Sequence, residues 1–244
     1  KTITFRVYGW GSTTSSGGFG IGRYGTGDTT PSLSIGGNVI YNGTDLANWN
    51  YDLAGKTGAA NANIINGNVQ QGVLSRGTGA AYVNNSTLSY VATFADGTTS
   101  ATALSTDAYF QAALTLNTTK QISLSSIKAR LRTSNAKSVK NYKWYYSLDN
   151  VNYTEIYSGN NTIGFTNTQG EDQPEINLKS INALKNLTGG ATIYFRIYAW
   201  GADVGAEAGE RGFGFGKGEN STSGRTVLTF TGTVTDELQA LPVY

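Results

Sequence analysis

Thr192–Gly201 reads T-I-Y-F-R-I-Y-A-W-G, and this stretch decides the fold because its side chains alternate strictly. Ile193, Phe195 and Ile197 fall on one face, whereas Arg196 and Tyr198 fall on the other. Alternation with a period of two is typical of an antiparallel strand with one buried face. The segment is therefore predicted to be a strand that covers an apolar core.

Two further segments show the same alternation. In Gln121–Arg132, the residues predicted to point inward are Ile122 and Leu124, then Ile127, Ala129 and Leu131. In Asn141–Leu148 they are Tyr142, Trp144, Tyr146 and Leu148. Asp96-Gly97, Asp149-Asn150 and Gly189-Gly190 supply turn residues between such runs. Leu178–Leu187 is the one segment with helical spacing, and it predicts a short α or 3-10 turn.

The strand at Thr192–Gly201 has a second copy near the start of the chain. Thr2–Gly11 reads T-I-T-F-R-V-Y-G-W-G. Two later segments repeat in the same order: F-G-I-G-R (19–23) matches F-G-F-G-K (213–217), and L-S-I-G-G-N-V (33–39) matches L-T-F-T-G-T-V (228–234). The alternating Phe residues in F-G-F-G-K (213–217) predict a strand rather than a phosphate-binding loop. The first forty residues thus repeat the closing strands of a module whose body occurs once.

These observations predict an all-β chain, an antiparallel β-sandwich (jelly-roll-like) with an additional N-terminal strand segment that duplicates the closing strands. We expect residues 1–44 to be closing strands of a preceding repeat plus a linker, 45–236 to be the complete module, and 237–244 to be a tail. Unpaired strands expose backbone groups and an apolar face, which is costly unless another chain segment covers them. The predicted assembly residues are Ile3, Phe5, Val7, Phe19, Ile21, Leu33, Ile35 and Val39.

The composition excludes several classes of function. The 244 residues include no Cys and no His, which removes thiolate and imidazole chemistry, and a net charge of +2 does not favour nucleic-acid binding. No run of apolar residues is long enough for a membrane helix, so no membrane insertion is expected. The absence of Met leads us to expect a processed piece of a longer protein. We expect no enzymatic activity, since the carboxylates have no recognisable catalytic frame.

The charged residues fall into clusters that suggest ligands. A groove for an anionic polysaccharide is predicted at Lys128, Arg130, Arg132, Lys143 and Tyr145, with the ring stacking on a sugar. The alternative is a solvated outer sheet face, where Lys and Arg discourage aggregation. No cofactor is expected, although Glu171 with Asp172, or Asp203 with Glu207, leaves a structural calcium ion open.

Several segments together resemble a known module. They are N-W-N-Y-D-L-A-G (48–55), G-V-L-S-R-G (72–77), D-A-Y-F-Q-A-A-L-T-L (107–116), Y-Y-S-L-D-N-V-N-Y-T-E-I (145–156) and the strand at 192–201. Their order over about residues 46–236 resembles a β-sandwich module repeated in large secreted Bacteroidetes proteins. L-Q-A-L-P-V-Y (238–244) resembles the junction before the type IX secretion sorting domain. The resemblance implies an extracellular or cell-surface location.

Three functions follow as hypotheses. The first is a non-enzymatic structural or adhesive surface protein, a filament or array subunit that associates with identical subunits or tandem repeats through residues 1–40. The alternative is a carbohydrate-binding module for an extracellular, anionic polysaccharide. A self-contained hydrolase, which needs two carboxylates converging in a cleft, is the weakest hypothesis.

Overall fold

The computed structural model describes residues 43–50, 57–82, 89–156, 162–166, 170–216 and 226–236. The predicted assembly residues lie outside these ranges. The strands are β1 (Thr44–Trp49), β2 (Ala60–Asn61), β3 (Ile64–Ile65), β4 (Val69–Arg76), β5 (Ala81–Tyr82), β6 (Tyr90–Thr93), β7 (Tyr109–Leu116), β8 (Lys120–Thr133), β9 (Asn141–Ser147), β10 (Thr154–Ile156), β11 (Glu171–Asp172), β12 (Ile176–Asn177), β13 (Thr192–Trp200), β14 (Gly212–Phe215) and β15 (Leu228–Asp236). Helix α1 spans Ser100–Ser105, and 3-10 helices span Asn182–Leu184 and Ala208–Arg211.

The strands form two sheets that pack against each other, which confirms the predicted antiparallel β-sandwich. The six-stranded sheet has the order β10-β9-β13-β7-β4-β2. The nine-stranded sheet has the order β3-β1-β15-β8-β14-β6-β5, with β11 and β12 also paired to β8. No helix in the described part of the chain is long and apolar enough to span a membrane.

The core lies between the inner faces of the two sheets. Ile193, Phe195 and Ile197 of β13 are fully buried, as the alternation predicts. Phe195 contacts Phe230 of β15 in the other sheet, with ring centroids 4.7 Å apart. Aromatic contacts of this kind join the sheets and bury much apolar surface for each residue.

A β-bulge explains why the inward residues of β8 change from even to odd numbers. Thr231 of β15 pairs with Ser126, but the next residue, Gly232, pairs with Leu124, so Ser125 is an extra residue in β8. The hydroxyls of Ser125 and Ser126 each lie 2.7 Å from the Thr231 hydroxyl. The bulge lets both halves of a 14-residue strand direct apolar side chains into one core.

All three closing strands are interior strands of the module. β13 lies between β9 and β7, while β14 pairs with β6 and β8, and β15 pairs with β1 and β8. The strands at the ends of both sheet orders are only two or three residues long, namely β2, β3, β5 and β10. Short edge strands offer little backbone for another strand to pair with.

Two local predictions need correction. Helix α1 was not predicted; it begins after Thr99, whose side-chain hydroxyl accepts a hydrogen bond from the Thr102 amide. Leu148 was predicted to point inward but is 48% exposed, because β9 ends at Ser147 and Leu148 lies in the following turn. The predicted short helical turn is confirmed at Asn182–Leu184.

Asp149 organises the turn between β9 and β10. Its carboxylate accepts hydrogen bonds from the amides of Asn152 and Val151 and from the Asn152 side chain. These bonds, led by the one from the Asn152 amide, hold the pKa of Asp149 well below its usual range. Asn150 adopts a positive φ of 61°, consistent with the predicted turn.

The low pKa of Asp149 predicts an acid-dependent loss of stability. A carboxylate whose pKa is lower in the folded than in the unfolded state stabilises the fold. This contribution is fully present above the unfolded pKa, about 3.9, and is lost as the pH falls. Asp149→Asn is therefore expected to flatten the fall in unfolding free energy between about pH 4 and pH 2. Urea unfolding across that range measures this. Glu171→Gln is the control, since this carboxylate has no ion-pair or hydrogen-bond partner among the described residues. The prediction would be contradicted if the unfolding free energy fell equally steeply with pH in Asp149→Asn and in the parent chain.

Candidate binding face

A cluster of tyrosines surrounds one arginine on the outer face of the six-stranded sheet. We call it the Tyr–Arg face. It comprises Tyr109 and Gln111 of β7, Tyr145 of β9, Tyr153 of the β9–β10 turn, and Arg196 and Tyr198 of β13. The strand register brings these residues together: Arg196 pairs with Tyr145 on one side and with Gln111 on the other. They face outward because the alternate residues of β13 fill the core.

Arg196 is held on four sides. Its guanidinium carbon lies 3.9 Å from the ring centroids of both Tyr109 and Tyr153. Its Nε donates a hydrogen bond to Gln111 Oε1 at 2.7 Å, and Nη1 donates to the Tyr198 hydroxyl at 3.1 Å. The side chain is only 13% exposed. The guanidinium is thus fixed in one orientation, stabilised by cation–π contacts.

The tyrosine rings stand against one another at steep angles. Tyr198 contacts Tyr109 with centroids 5.2 Å apart and Tyr145 with centroids 5.3 Å apart, at interplanar angles of 68° and 80°. Burial raises the pKa of the Tyr109, Tyr145 and Tyr153 phenols, so all three stay neutral at physiological pH. Tyr198 is only 3% exposed, so the face offers the ring edges and neutral hydroxyls of Tyr109, Tyr145 and Tyr153 rather than a flat stack of coplanar rings.

Charges of both signs lie at the border of the Tyr–Arg face. Lys143 Nζ is 2.7 Å from Glu155 Oε1, and the Tyr145 hydroxyl donates to Glu155 Oε2 at 3.3 Å. The Asp107 carboxylate, which is half exposed, lies 4.0 Å from Arg196 Nη1. Two positive and two negative groups therefore balance each other. The predicted site residues Lys143 and Tyr145 both belong to this region.

The other three predicted glycan-binding residues lie elsewhere, so the single predicted groove is wrong. Lys128, Arg130 and Arg132 are on β8, in the nine-stranded sheet. The inner faces of the two sheets pack together, and outward side chains of β8 and β9 therefore point in opposite directions. Arg130 and Arg132 are also only 7% and 8% exposed, so they do not form an open basic stripe. Arg132 donates a hydrogen bond to the Ser89 hydroxyl at 2.9 Å.

The basic residues pair with the acidic clusters. The pairs and their N–O distances are Lys128–Glu175 (4.0 Å), Arg130–Asp172 (3.1 Å), Lys137–Glu210 (2.8 Å) and Lys140–Asp203 (3.3 Å). The candidate calcium ligands Asp172 and Asp203 are thus each opposite a cation. Within the described ranges, no three acidic side chains converge on one point. Asp172, Glu175, Asp203 and Glu210 thus serve as counter-charges for basic residues.

A shallow groove runs along β8 on the nine-stranded sheet. One part has a volume of about 400 Å³ and is lined by Lys128, Arg130, Asp172, Gln173 and Thr229, among others. A second part, of about 260 Å³, reaches the bulge at Ser125 and shares Lys128 with the first. Lys128 and Arg130 are already paired with Glu175 and Asp172, which leaves less positive charge for an anionic ligand to neutralise than the sequence suggested.

Sequence reasoning identified Tyr145 but not the centre of the Tyr–Arg face. Arg196 and Tyr198 were recognised only as outward residues of their strand, and Tyr109, Gln111 and Tyr153 were not singled out. The available signal was the Tyr-x-Arg-x-Tyr pattern at 194–198, which places three such side chains on one face. What the pattern could not supply was the identity of the neighbouring strands.

The chain matches no family model, no curated protein and no solved structure. Its function must therefore be inferred from the arrangement of its own residues.

Proposed function

We propose that the chain is a non-enzymatic structural or adhesive protein of the cell surface, built from tandem β-sandwich modules. The observation that carries this proposal is the position of the closing strands in the complete module. Each of the three closing strands pairs with another strand of the module on both sides. The position of each in its sheet is therefore already occupied by the module's own strand. A second copy of these strands belongs to a second module.

The burial of the equivalent residues supports the need for a partner. Seven of the eight predicted assembly residues correspond to side chains that are fully buried in the complete module: Ile193, Phe195, Ile197, Phe213, Phe215, Leu228 and Phe230. Val39 corresponds to Val234, which packs against the core. Burying each such side chain stabilises by about 1.5–3 kcal/mol. Residues 1–40 therefore have a strong drive to associate with strands of a tandem repeat or an identical subunit.

Association through residues 1–40 is expected to depend on their apolar side chains. The wild-type chain should form oligomers whose size grows with concentration, and Phe5→Asp combined with Phe19→Asp should leave monomers, because a buried unpaired carboxylate opposes strand packing. Sedimentation velocity distinguishes the two. Val151→Asp is the matched control, since Val151 is 77% exposed in the complete module. A wild-type chain that stays monomeric at every concentration would contradict the proposal.

Four features support a role without catalysis at an extracellular location. The chain has no Cys or His, and Asp172, Asp203 and Glu210 are engaged with Lys or Arg. The resemblance to repeated Bacteroidetes modules exported by the type IX system supports the location, as does a composition rich in Gly, Thr and Asn. Adhesion requires only a stable scaffold with a binding surface.

A carbohydrate-binding module is the second candidate, and the Tyr–Arg face favours it. Aromatic rings with polar tips, an amide and a guanidinium provide both apolar contacts and hydrogen bonds for sugar rings. A glycan array probed with the purified chain tests this candidate. Binding that survives Lys128→Ala but is lost on Tyr145→Ala would place the sugar on the six-stranded sheet.

A further inference from the structure

We infer that Arg196 recognises a carboxylate, so that the ligand of the Tyr–Arg face is an acidic polysaccharide that contains uronic acids. This inference rests on the carbohydrate-binding candidate and deepens it. It assigns charge recognition to a residue of the six-stranded sheet rather than to the β8 residues that the sequence suggested.

The first support is the hydrogen-bonding capacity that Arg196 retains. Gln111 occupies Nε and Tyr198 occupies one hydrogen of Nη1. Nη2 has no hydrogen-bond partner among the described residues, yet it is not one of the buried unpaired atoms, so solvent reaches it. Two tyrosine rings pack over the guanidinium, each centroid 3.9 Å from its carbon, and the Nη1–Nη2 edge keeps donors that no described residue occupies. That edge is the part that binds a carboxylate with two parallel hydrogen bonds.

The second support is that the site is already ordered. Binding by a free arginine side chain costs conformational entropy for each immobilised group. Arg196 is held by two rings, an amide and a phenol before any ligand arrives. The nearer Asp107 oxygen lies 4.0 Å from Nη1, too far for a hydrogen bond, so it does not occupy a donor of the guanidinium. The edge of the guanidinium thus forms a rigid recognition element.

The third support distinguishes a glycan from an acidic peptide. The face carries Asp107 and Glu155 beside Arg196 and Lys143, so its charges cancel. An acidic peptide brings carboxylates but few hydroxyls that could donate to the two acids. A uronic acid chain carries hydroxyls on every sugar as well as its carboxylates, and these hydroxyls can donate to Glu155 and the tyrosine oxygens. Its C–H groups can pack against the ring edges.

The test uses pectate, alginate and hyaluronan, each beside its carboxyl-reduced form, in which the uronic acids have become neutral sugars. Titration calorimetry on the full chain is expected to show binding to at least one acidic form. Carboxyl reduction, and separately Arg196→Lys, should weaken that binding about ten- to a hundredfold, the effect of losing a charge-assisted hydrogen bond. Lys128→Gln, on the other sheet, should leave it unchanged.

Four outcomes would overturn the inference. Equal binding of an acidic polysaccharide and its reduced form would leave glycan binding intact but remove the role of the carboxylate, and this comparison needs no variant. Unchanged affinity in a folded Arg196→Lys chain would move the site elsewhere. Binding of poly-glutamate as tight as that of the polysaccharide would indicate an acidic protein ligand. Failure to bind every form of every polysaccharide would overturn the carbohydrate-binding candidate as well.

Discussion

Phe110→Ala is expected to lower the free energy of unfolding by about 3–5 kcal/mol, the range for truncating a buried aromatic side chain. Phe110 is 1% exposed and lies on β7 of the six-stranded sheet. Its ring contacts Tyr90, Phe94, Phe213 and Phe215, with centroids 5.5 to 6.3 Å apart. All of these partners lie on β6 and β14 or beside them, in the opposite sheet. The substitution would therefore leave a cavity between the sheets, where several rings lose a neighbour at once.

Urea unfolding of the purified chain measures the effect of Phe110→Ala. Val151→Ala is the matched control, because Val151 is 77% exposed and its truncation should change the unfolding free energy by less than about 0.5 kcal/mol. Phe110→Leu should fall between the two, since it keeps most of the apolar volume. A loss below about 1 kcal/mol for Phe110→Ala would mean that the cavity collapses or that the two sheets do not share this aromatic cluster.

The strands themselves were predictable because their signal is local. The alternation at Thr192–Trp200 predicted both the strand and its buried residues. The bulge in β8 is also visible in the sequence, because the inward residues change from even numbers, ending at Leu124, to odd numbers, beginning at Ile127. Each of these features depends on residues adjacent in sequence, whose side chains alternate for steric reasons.

The pairing of strands was not predictable, and this is why the predicted groove was wrong. Alternation alone does not assign a basic residue to a sheet, and so Arg130 and Lys143 seemed to share a surface although β8 and β9 are in different sheets. Ion pairs such as Lys137 with Glu210 join residues far apart in sequence. The Tyr–Arg face likewise needs three strands and one turn. Such contacts follow from topology, which a single sequence constrains only weakly.

Helix α1 was missed for a different reason. Its six residues, S-A-T-A-L-S, include three that are common in turns, and only Ala103 among them is buried. A helix with one buried residue has almost no apolar periodicity to detect. Its start depends on the Thr99 cap, which is a single hydrogen bond to the Thr102 amide.

Gly214→Ala is expected to destabilise the module by about 3 kcal/mol, the upper part of the usual range for overpacking. Gly214 lies in β14 between β6 and β8. A methyl group there would overlap the Tyr90 carbonyl oxygen and come within 2.7 Å of the Val91 Cα. Both atoms are backbone in a paired strand, so neither can move aside without breaking the ladder between β14 and β6. The close approach explains why glycine and phenylalanine alternate in this strand.

Thermal and urea unfolding would measure the effect, with Gly209→Ala as the matched control. A methyl group at Gly209 meets no atom within 4 Å, so this substitution should change the unfolding free energy by less than about 0.5 kcal/mol. Gly20 occupies the equivalent position in F-G-I-G-R. If residues 1–40 complete a second module, Gly20→Ala should weaken self-association while leaving the unfolding of residues 43–236 unchanged. A Gly214→Ala chain as stable as the parent would show that β6 and β14 are not packed this closely, and the reason for the repeated glycine would have to lie elsewhere.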